Sequence, residues 1–579
     1  MTMNNNTVSR EAFDGFSGLG LSPRGKTSCR LDNFRVLADG SIEKREGMRH
    51  LASLPSALRG VYAFQEDGKD VILAVTGNQL HRILKNGERL STECFSTEKG
   101  EVGFFVYGGR LYLLDGAEIY RYEGKGVAQK IHGYTPLYGK DWDIHDVSNR
   151  EVYEPVNCLS PHVRIHYHIS NAIGSLYVGF VFEAIDWVRA DGVLIDSTRY
   201  SINSAKDGIN FQPLLFGNDF EISITLLEKD YKDKDFSSCL AAATYEDFAN
   251  SRVFFYSGND AARFFVSRKL DVAVQNRDRA LFPSSCGLYF PKESAVSLGD
   301  GRSITAIQRV FDRAVFFTSS SVWASEPLSE VEGDEILFSP ICGHLGCHAA
   351  HAIVMTGASS PVSVAQSGIY LWKIDPDLLE ECTTTCLSSE LGSLLEDRFF
   401  AEAGICHHRR RGELWFYKAG DKDGRVFLYS LDRKMWYCYS GILADRMFMF
   451  DGGVAFAKGN EVFLFDETIS ADCLKDGEVN IEAVFESGWL DFGCADTDKR
   501  LENILLTAEL SGGEISVELL DGEPLGEEIF LKTDAVPSGV YDRRAPTGRF
   551  RAAKLRLCAC GPRRERIYRA ELVAQKGKK

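Results

Sequence analysis

The residue types most suited to chemistry gather at a few places. Cys342-Gly-His-Leu-Gly-Cys-His-Ala-Ala-His351 brings Cys342, His344, Cys347, His348 and His351 into one short run. Zn²⁺ takes Cys and His in tetrahedral sets, but a Cys-x4-Cys-His-x2-His order is not one of the standard ligand spacings. These five are the metal candidates, and no metal or other cofactor is assigned. Cys406-His-His-Arg-Arg-Arg411 offers ligands or a basic patch, yet it runs into Gly412-Glu-Leu-Trp-Phe-Tyr and reads as a turn between two strands. His162, His166 and His168 alternate, the last two on one strand face, as half-exposed histidines of a β-sandwich do. Ser204-Ala-Lys-Asp-Gly-Ile-Asn-Phe211 loosely matches an Asp-box hairpin, which is structural and not catalytic. Gly-x-Ser-x-Gly, P-loop, dinucleotide-binding and His-Glu-x-x-His patterns are absent. Carboxylates abound, but their sequence positions do not place the facing pair that a glycosidase requires. No catalytic residue is assigned, and the expectation is a protein that is not an enzyme.

Those residues sit on a chain dominated by period-2 alternation. Runs such as Gly60-Val-Tyr-Ala-Phe, Val71-Ile-Leu-Ala-Val-Thr and Gly103-Phe-Phe-Val-Tyr alternate with Gly, Asp and Asn turns, as strands and hairpins do. The best helix candidate is Cys386–Phe399. A loose unit ending in an aromatic strand recurs over Phe104–Tyr122, Ile307–Trp323, Val362–Trp372, Glu413–Tyr429 and Met447–Phe465. Its spacing of roughly 40 to 50 residues suits β-propeller blades, which bury their faces only against neighbours. The expected fold is therefore mostly β: a β-propeller with an inserted β-sandwich and a C-terminal β-sandwich-like domain. Residues 1–145 would form an N-terminal arm and the first blades, 146–298 the inserted sandwich, 299–470 the remaining blades, and 471–579 a C-terminal β-domain with a basic tail.

Composition limits the function. The 579 residues are 44% hydrophobic, with 66 Lys and Arg against 82 Asp and Glu, a net charge of −16. Residues 542–579 hold 13 basic and 3 acidic side chains, so the preceding body carries −26. Such a body does not coat nucleic acid, whereas the basic end could touch nucleic acid or an acidic partner. No apolar run reaches the roughly 18 residues of a membrane span. No secretory leader is legible, and the 15 scattered cysteines suit reduced thiols, which implies intracellular synthesis without export.

Two stretches resemble a known family. Asn33-Phe-Arg-Val-Leu-Ala-Asp-Gly-Ser-Ile-Glu-Lys-Arg-Glu-Gly-Met48 with Leu58-Arg-Gly-Val-Tyr-Ala-Phe is similar to the opening of tailed-bacteriophage β-propeller proteins of the tail-nozzle or stabilisation type. Ser251-Arg-Val-Phe-Phe-Tyr-Ser-Gly-Asn259, Phe264-Phe-Val-Ser-Arg, Tyr289-Phe-Pro and Ile304–Trp323 resemble a second segment of those proteins. Phe485-Glu-Ser-Gly-Trp-Leu-Asp-Phe-Gly and Lys499–Ile504 resemble their closing β-domain. The motif positions are Asn33, Gly40, Arg45, Gly47, Arg252, Gly258, Asn259 and Trp489. Asp39-Gly40 is a turn dipeptide, and Arg45 and Arg49 beside it could anchor a rim or bridge to a neighbouring chain. The resemblance also makes Cys342–His351 the entry to a blade.

The resemblance implies a virion structural protein, a non-enzymatic part of a ring-like conduit in the tail or head–tail assembly, made and assembled in the host bacterial cytoplasm. Implied partners are other copies in a ring, portal, adaptor or other tail proteins, and DNA in transient passage. An acidic lumen would keep DNA from sticking. Alternatives are a receptor- or carbohydrate-binding tail protein, with Trp142, Trp187 and Trp323 as stacking platforms, and a propeller glycoside hydrolase.

Overall fold

The computed structural model describes residues 8–13, 16, 18–19, 28–169, 172–247, 251–257, 263–292, 295–331, 335–375, 382–391, 399–509, 513–520, 528–533, 539–544 and 549–576. The chain is mostly β, divided among many small sheets. Five are four-stranded antiparallel meanders, over 60–93, 103–130, 241–297, 304–342 and 353–386, and a sixth four-stranded meander, 404–439, forms one end of a nine-stranded sheet. A seventh meander, 446–466, takes its fourth strand from Gly47–Ser53, paired antiparallel to Glu461–Asp466. Leading strands succeed one another in space. Gly60–Glu66 lies by Gly103–Tyr107, then come Ala241–Tyr245, Ile304–Val310, the 350–355 segment, Gly404–His408 and Arg446–Phe450, which lies by Gly60–Glu66.

Alternation explains why the inner strands read as unbroken apolar runs. In Glu413–Tyr417 and Val426–Ser430 every residue is buried. Trp415, Tyr417, Val426 and Leu428 enter one core, while Leu414, Phe416, Phe427 and Tyr429 enter the next. Val71, Leu73 and Val75 likewise face away from Ile72 and Ala74 into a different core. Each sheet is thus covered on both faces, and a strand buried on both sides loses its polar alternation.

Between the 103–130 and 241–297 sheets the chain forms two further sheets, of five and three strands, over 137–226. Val163, Ile165, Tyr167, Phe182, Val188, Phe220, Ile222 and Ile224 meet Leu176, Ile209 and Phe211 in their common core. The 146–298 segment thus divides in two, because Ala241–Ser297 forms a meander like the others.

The ends of the chain are knitted together. Val8–Phe13 pairs antiparallel with Arg566–Lys576, and the Phe34–Val36/Ile42–Lys44 hairpin joins the same strand through Ile42 and Ile567. Ser28–Asp32 pairs with Ala483–Ser487 and touches Met435–Tyr439 at Asp32, so the 404–439 sheet continues into the C-terminal one. Phe13, Leu31, Phe34, Phe485, Ile504, Phe550, Leu555 and Leu572 share one core.

The expected helix over Cys386–Phe399 is absent from the described part of its first half. Thr383–Cys386 is a strand and Leu387–Glu390 a single 3-10 turn, with Leu387 and Leu391 in the core; residues 392–398 lie outside the described ones. The longest helix among the described residues is Val272–Leu281, capped by the Asp271 side chain on the Ala273 N–H.

Candidate functional site

Three motif residues from the N-terminal arm converge on one buried network. Asn33 ends the strand Ser28–Asp32 at φ 55°, a left-handed conformation that asparagine tolerates. Its Oδ1 accepts from Arg45 Nε at 2.9 Å and from the Ser440 N–H at 2.9 Å. Its Nδ2 donates to Ser440 Oγ and the Glu482 carbonyl. Arg45, only 1% exposed, forks onto Asp472 through Nη1–Oδ1 at 2.9 Å and Nη2–Oδ2 at 2.7 Å. Asp472 also accepts the Met48 N–H. Gly47 lies so close to the Ala471 carbonyl that a Cβ there would come within 2.0 Å of its oxygen. The expectation that Arg45 bridges to a neighbouring chain is corrected by this burial: its donors are spent on Asn33, the Glu46 carbonyl and Asp472. Arg49 donates to the Lys85 carbonyl and pairs with Asp466.

A second layer adjoins it. Arg411 bridges Glu46 and Glu467 at 2.6 Å each. Burial pushes the Glu46 carboxyl up, but the charge and hydrogen bond of Arg411 outweigh it, and the group sits below its ordinary value. Burial, then the charge of Arg411, lowers His408 to about 4. Glu413 is held above the usual carboxylate range by burial and accepts the Tyr437 hydroxyl and Trp415 Nε1. Lys44 is fully buried, donating to the Gly561 carbonyl 3.7 Å from Glu565. Buried Lys499 donates to the carbonyls of Cys494, Thr497 and Arg551 at 2.6–2.8 Å.

Tyr437, Glu413 and nearby arginines are the residue types of a tyrosine-nucleophile glycosidase. Tyr437 is 2% exposed, however, its hydroxyl is committed to Glu413, and burial raises its pKa well above the ordinary value. That combination holds a neutral phenol in place and disfavours the phenolate that would attack.

The remaining positions are dispersed. Gly40, at φ 82°, closes the Phe34–Lys44 hairpin with its N–H on the Leu37 carbonyl, and Asp39 accepts the Ser41 N–H. Arg252 is buried in the 241–297 sheet, facing the Ser267 carbonyl. Trp489 is half-buried beside Leu490, whose backbone pairs with Ala553. Gly258 and Asn259 lie outside the described residues.

The Cys/His run is spread over a turn. Cys342 and His344 lie together at its outer end, 3.8 Å apart. Cys347 is fully buried with its thiol on the Ala349 carbonyl, and burial pushes its pKa up to about 12. His348 faces the Val364 carbonyl, and His351 is held neutral by burial, at about 4. Among the described residues no three His, Cys, Asp or Glu side chains gather as a metal set. His162 pairs with Asp186, His166 with Asp141 and His168 with Asp219. Trp142 is buried in the insert core, Trp187 lies on the same five-stranded sheet with two strands between, against Arg189 and outside that core, and Trp323 stands on the 304–342 sheet against Asp300, so they form no common platform.

Sequence reasoning missed Asp472 and Glu46, and it placed Arg411 only in a turn between two strands, where the structure makes it a bridge between Glu46 and Glu467. A carboxylate in the short strand Ala471–Leu474, flanked by Ala471 and Cys473, is the one local sign of an inward charge. No family model and no curated protein matches the chain. Solved structures similar to it include BBS1N in complex with ARL6DN, at 10% identity and a TM-score of 0.24, covering 74% of this chain and 98% of that one. A glycoside hydrolase matches at 8% identity and a TM-score of 0.23, covering 90% and 98%. At such scores neither likeness bears on chemistry, and the site has to be read from its own residues.

Proposed function

We propose that this chain is a non-enzymatic structural protein of a phage virion, built as a seven-bladed β-propeller with a β-sandwich inserted over 137–226 and a C-terminal β-sandwich that incorporates the N-terminal arm. It works in the tail or head–tail assembly as part of a ring-like conduit, docking copies of itself and portal, adaptor or other tail proteins around passing DNA. The observation that carries this reading is the buried seam: Asn33, Arg45 and Gly47, the positions the family resemblance singles out, are spent on joining the two chain ends. A network such as that of Asn33, Arg45 and Asp472, with its donors and acceptors met, rigidifies and specifies one arrangement. Mechanical rigidity is what a conduit component needs. The test is electron microscopy of the purified chain together with immunolabelling of phage particles. Ring-sized particles and label on the tail or its junction with the head are expected; a monomer absent from particles that hydrolyses glycosides would replace the assembly reading with an enzymatic one.

A further inference from the structure

Outside the seam, a cleft of about 600 Å³ opens between the Phe34–Lys44 hairpin, the 404–439 sheet and the strand Arg566–Lys576. Arg35, Arg410, Arg411, Arg433 and Arg566 line it, and they differ in how their charge is met. Arg411 is neutralised by Glu46 and Glu467, and Arg566 by Asp39. Arg433 donates only to the carbonyls of Val36 and Leu37, which orient it without cancelling its charge. Among the described residues the side chains of Arg35 and Arg410 make no hydrogen bond and no ion pair at contact distance, acting only at longer range on Glu46, Glu413 and Glu467; Arg35 is half-buried and Arg410 exposed. Of the lining carboxylates, Glu413 is buried with its pKa raised by desolvation, which leaves exposed Asp432 as the one acid facing these three cations without an arginine of its own. A guanidinium fork matches a carboxylate, and one held without a partner is ready for an incoming one.

We propose that this cleft is a docking site for a carboxylate-bearing surface segment of a second copy of this chain. The proposal rests on the assembly reading above and names where its contact lies. Charge complementarity selects the occupant: residues 1–541 carry −26, so each copy offers acidic surface in abundance, whereas the cleft borrows Arg566 from the basic C-terminal stretch. A nucleic acid duplex reaching the same arginines would have to lie along the acidic body, which repels it. A patch that binds a different patch on the next copy makes a head-to-tail contact, the kind that closes rings.

The test follows particle mass of the full chain at low salt and at 1 M salt, where the screening length falls to about 3 Å. Wild type is expected to assemble at low salt and dissociate at 1 M, with poly-L-glutamate competing. R35E/R410E should weaken assembly about ten-fold or more while keeping the wild-type near-ultraviolet circular dichroism. R410E alone, at an exposed position, gives the same direction of change if the double variant misfolds. Assembly unchanged by both variants would overturn the cleft proposal and leave the assembly reading standing. A wild type that stays monomeric throughout would overturn both. Retention of short duplex DNA through the same arginines, without self-association, would overturn the proposal in favour of a nucleic-acid site.

Discussion

The seam and the insert solve the same problem by opposite means. The insert joins strands within 137–226 through an aliphatic and aromatic core; pairs such as His166 with Asp141 stand toward its surface, and Arg164, set against the partly exposed Glu221, is its one buried arginine. The seam joins residues 365 to 521 positions apart and places Arg45–Asp472, Glu46–Arg411 and Lys44–Glu565 inside. Apolar contacts are permissive about their partner, so they suffice where short connections bring the right strands together. Where distant ends must find a single register, buried charges penalise every other arrangement, because an unpaired buried ion is costly.

The widest test of this contrast is deletion. Removing residues 1–53 takes a strand from the 446–466 meander and from both C-terminal sheets, and should abolish cooperative unfolding in calorimetry. Replacing 137–226 by a short Gly-Ser linker should instead leave the main transition in place. Next in size, Arg45→Met strands Asp472 and should cost about 3–5 kcal/mol by denaturant melting. R45M/D472L should recover part of that loss, and a double variant no better than the single would sink the pairing argument. Ile222→Ala opens a cavity in the insert and should cost about 2–5 kcal/mol, read as an early local transition by hydrogen exchange over 137–226 and not over 404–480.

Acid gives the most selective effect. His408 has a folded pKa of about 4 against an ordinary 6.5, so the native state binds fewer protons between those values. Stability therefore falls as pH drops from 6.5 to 4, by up to about 1.4 kcal/mol per pH unit for this one site. His408→Phe should flatten that slope, whereas His166→Ala, at an exposed pair, should change stability by less than about 1 kcal/mol at any pH.

Much of the strand content was legible because alternation is local. Glu413–Tyr417, Val426–Ser430 and Gly453–Lys458 fall inside the repeats read from aromatic-ended runs. The helix reading at 386–399 does not hold over 386–390, where a strand end and a 3-10 turn stand and Leu387 and Leu391, spaced for a helix face, are drawn into the core between neighbouring sheets; 392–398 lie outside the described residues. The helix at 272–281 was missed because its sequence, VAVQNRDRAL, has no clear apolar stripe and is announced only by Asp271. At the site, Asn33, Arg45 and Gly47 stood out through motif resemblance, but Asp472 and Arg411 did not. A salt bridge across 427 positions leaves no mark in either local window.

The strand Gly47–Ser53 completes a meander whose other strands are made about four hundred residues later. At about 5–20 residues per second of translation, it waits on the order of 20–80 s before its partner leaves the ribosome. During that interval its open edge is exposed to any passing strand. Chain completion is then itself a checkpoint: a product that stops before Glu461–Asp466 is made keeps an unpaired strand edge, open to non-native pairing.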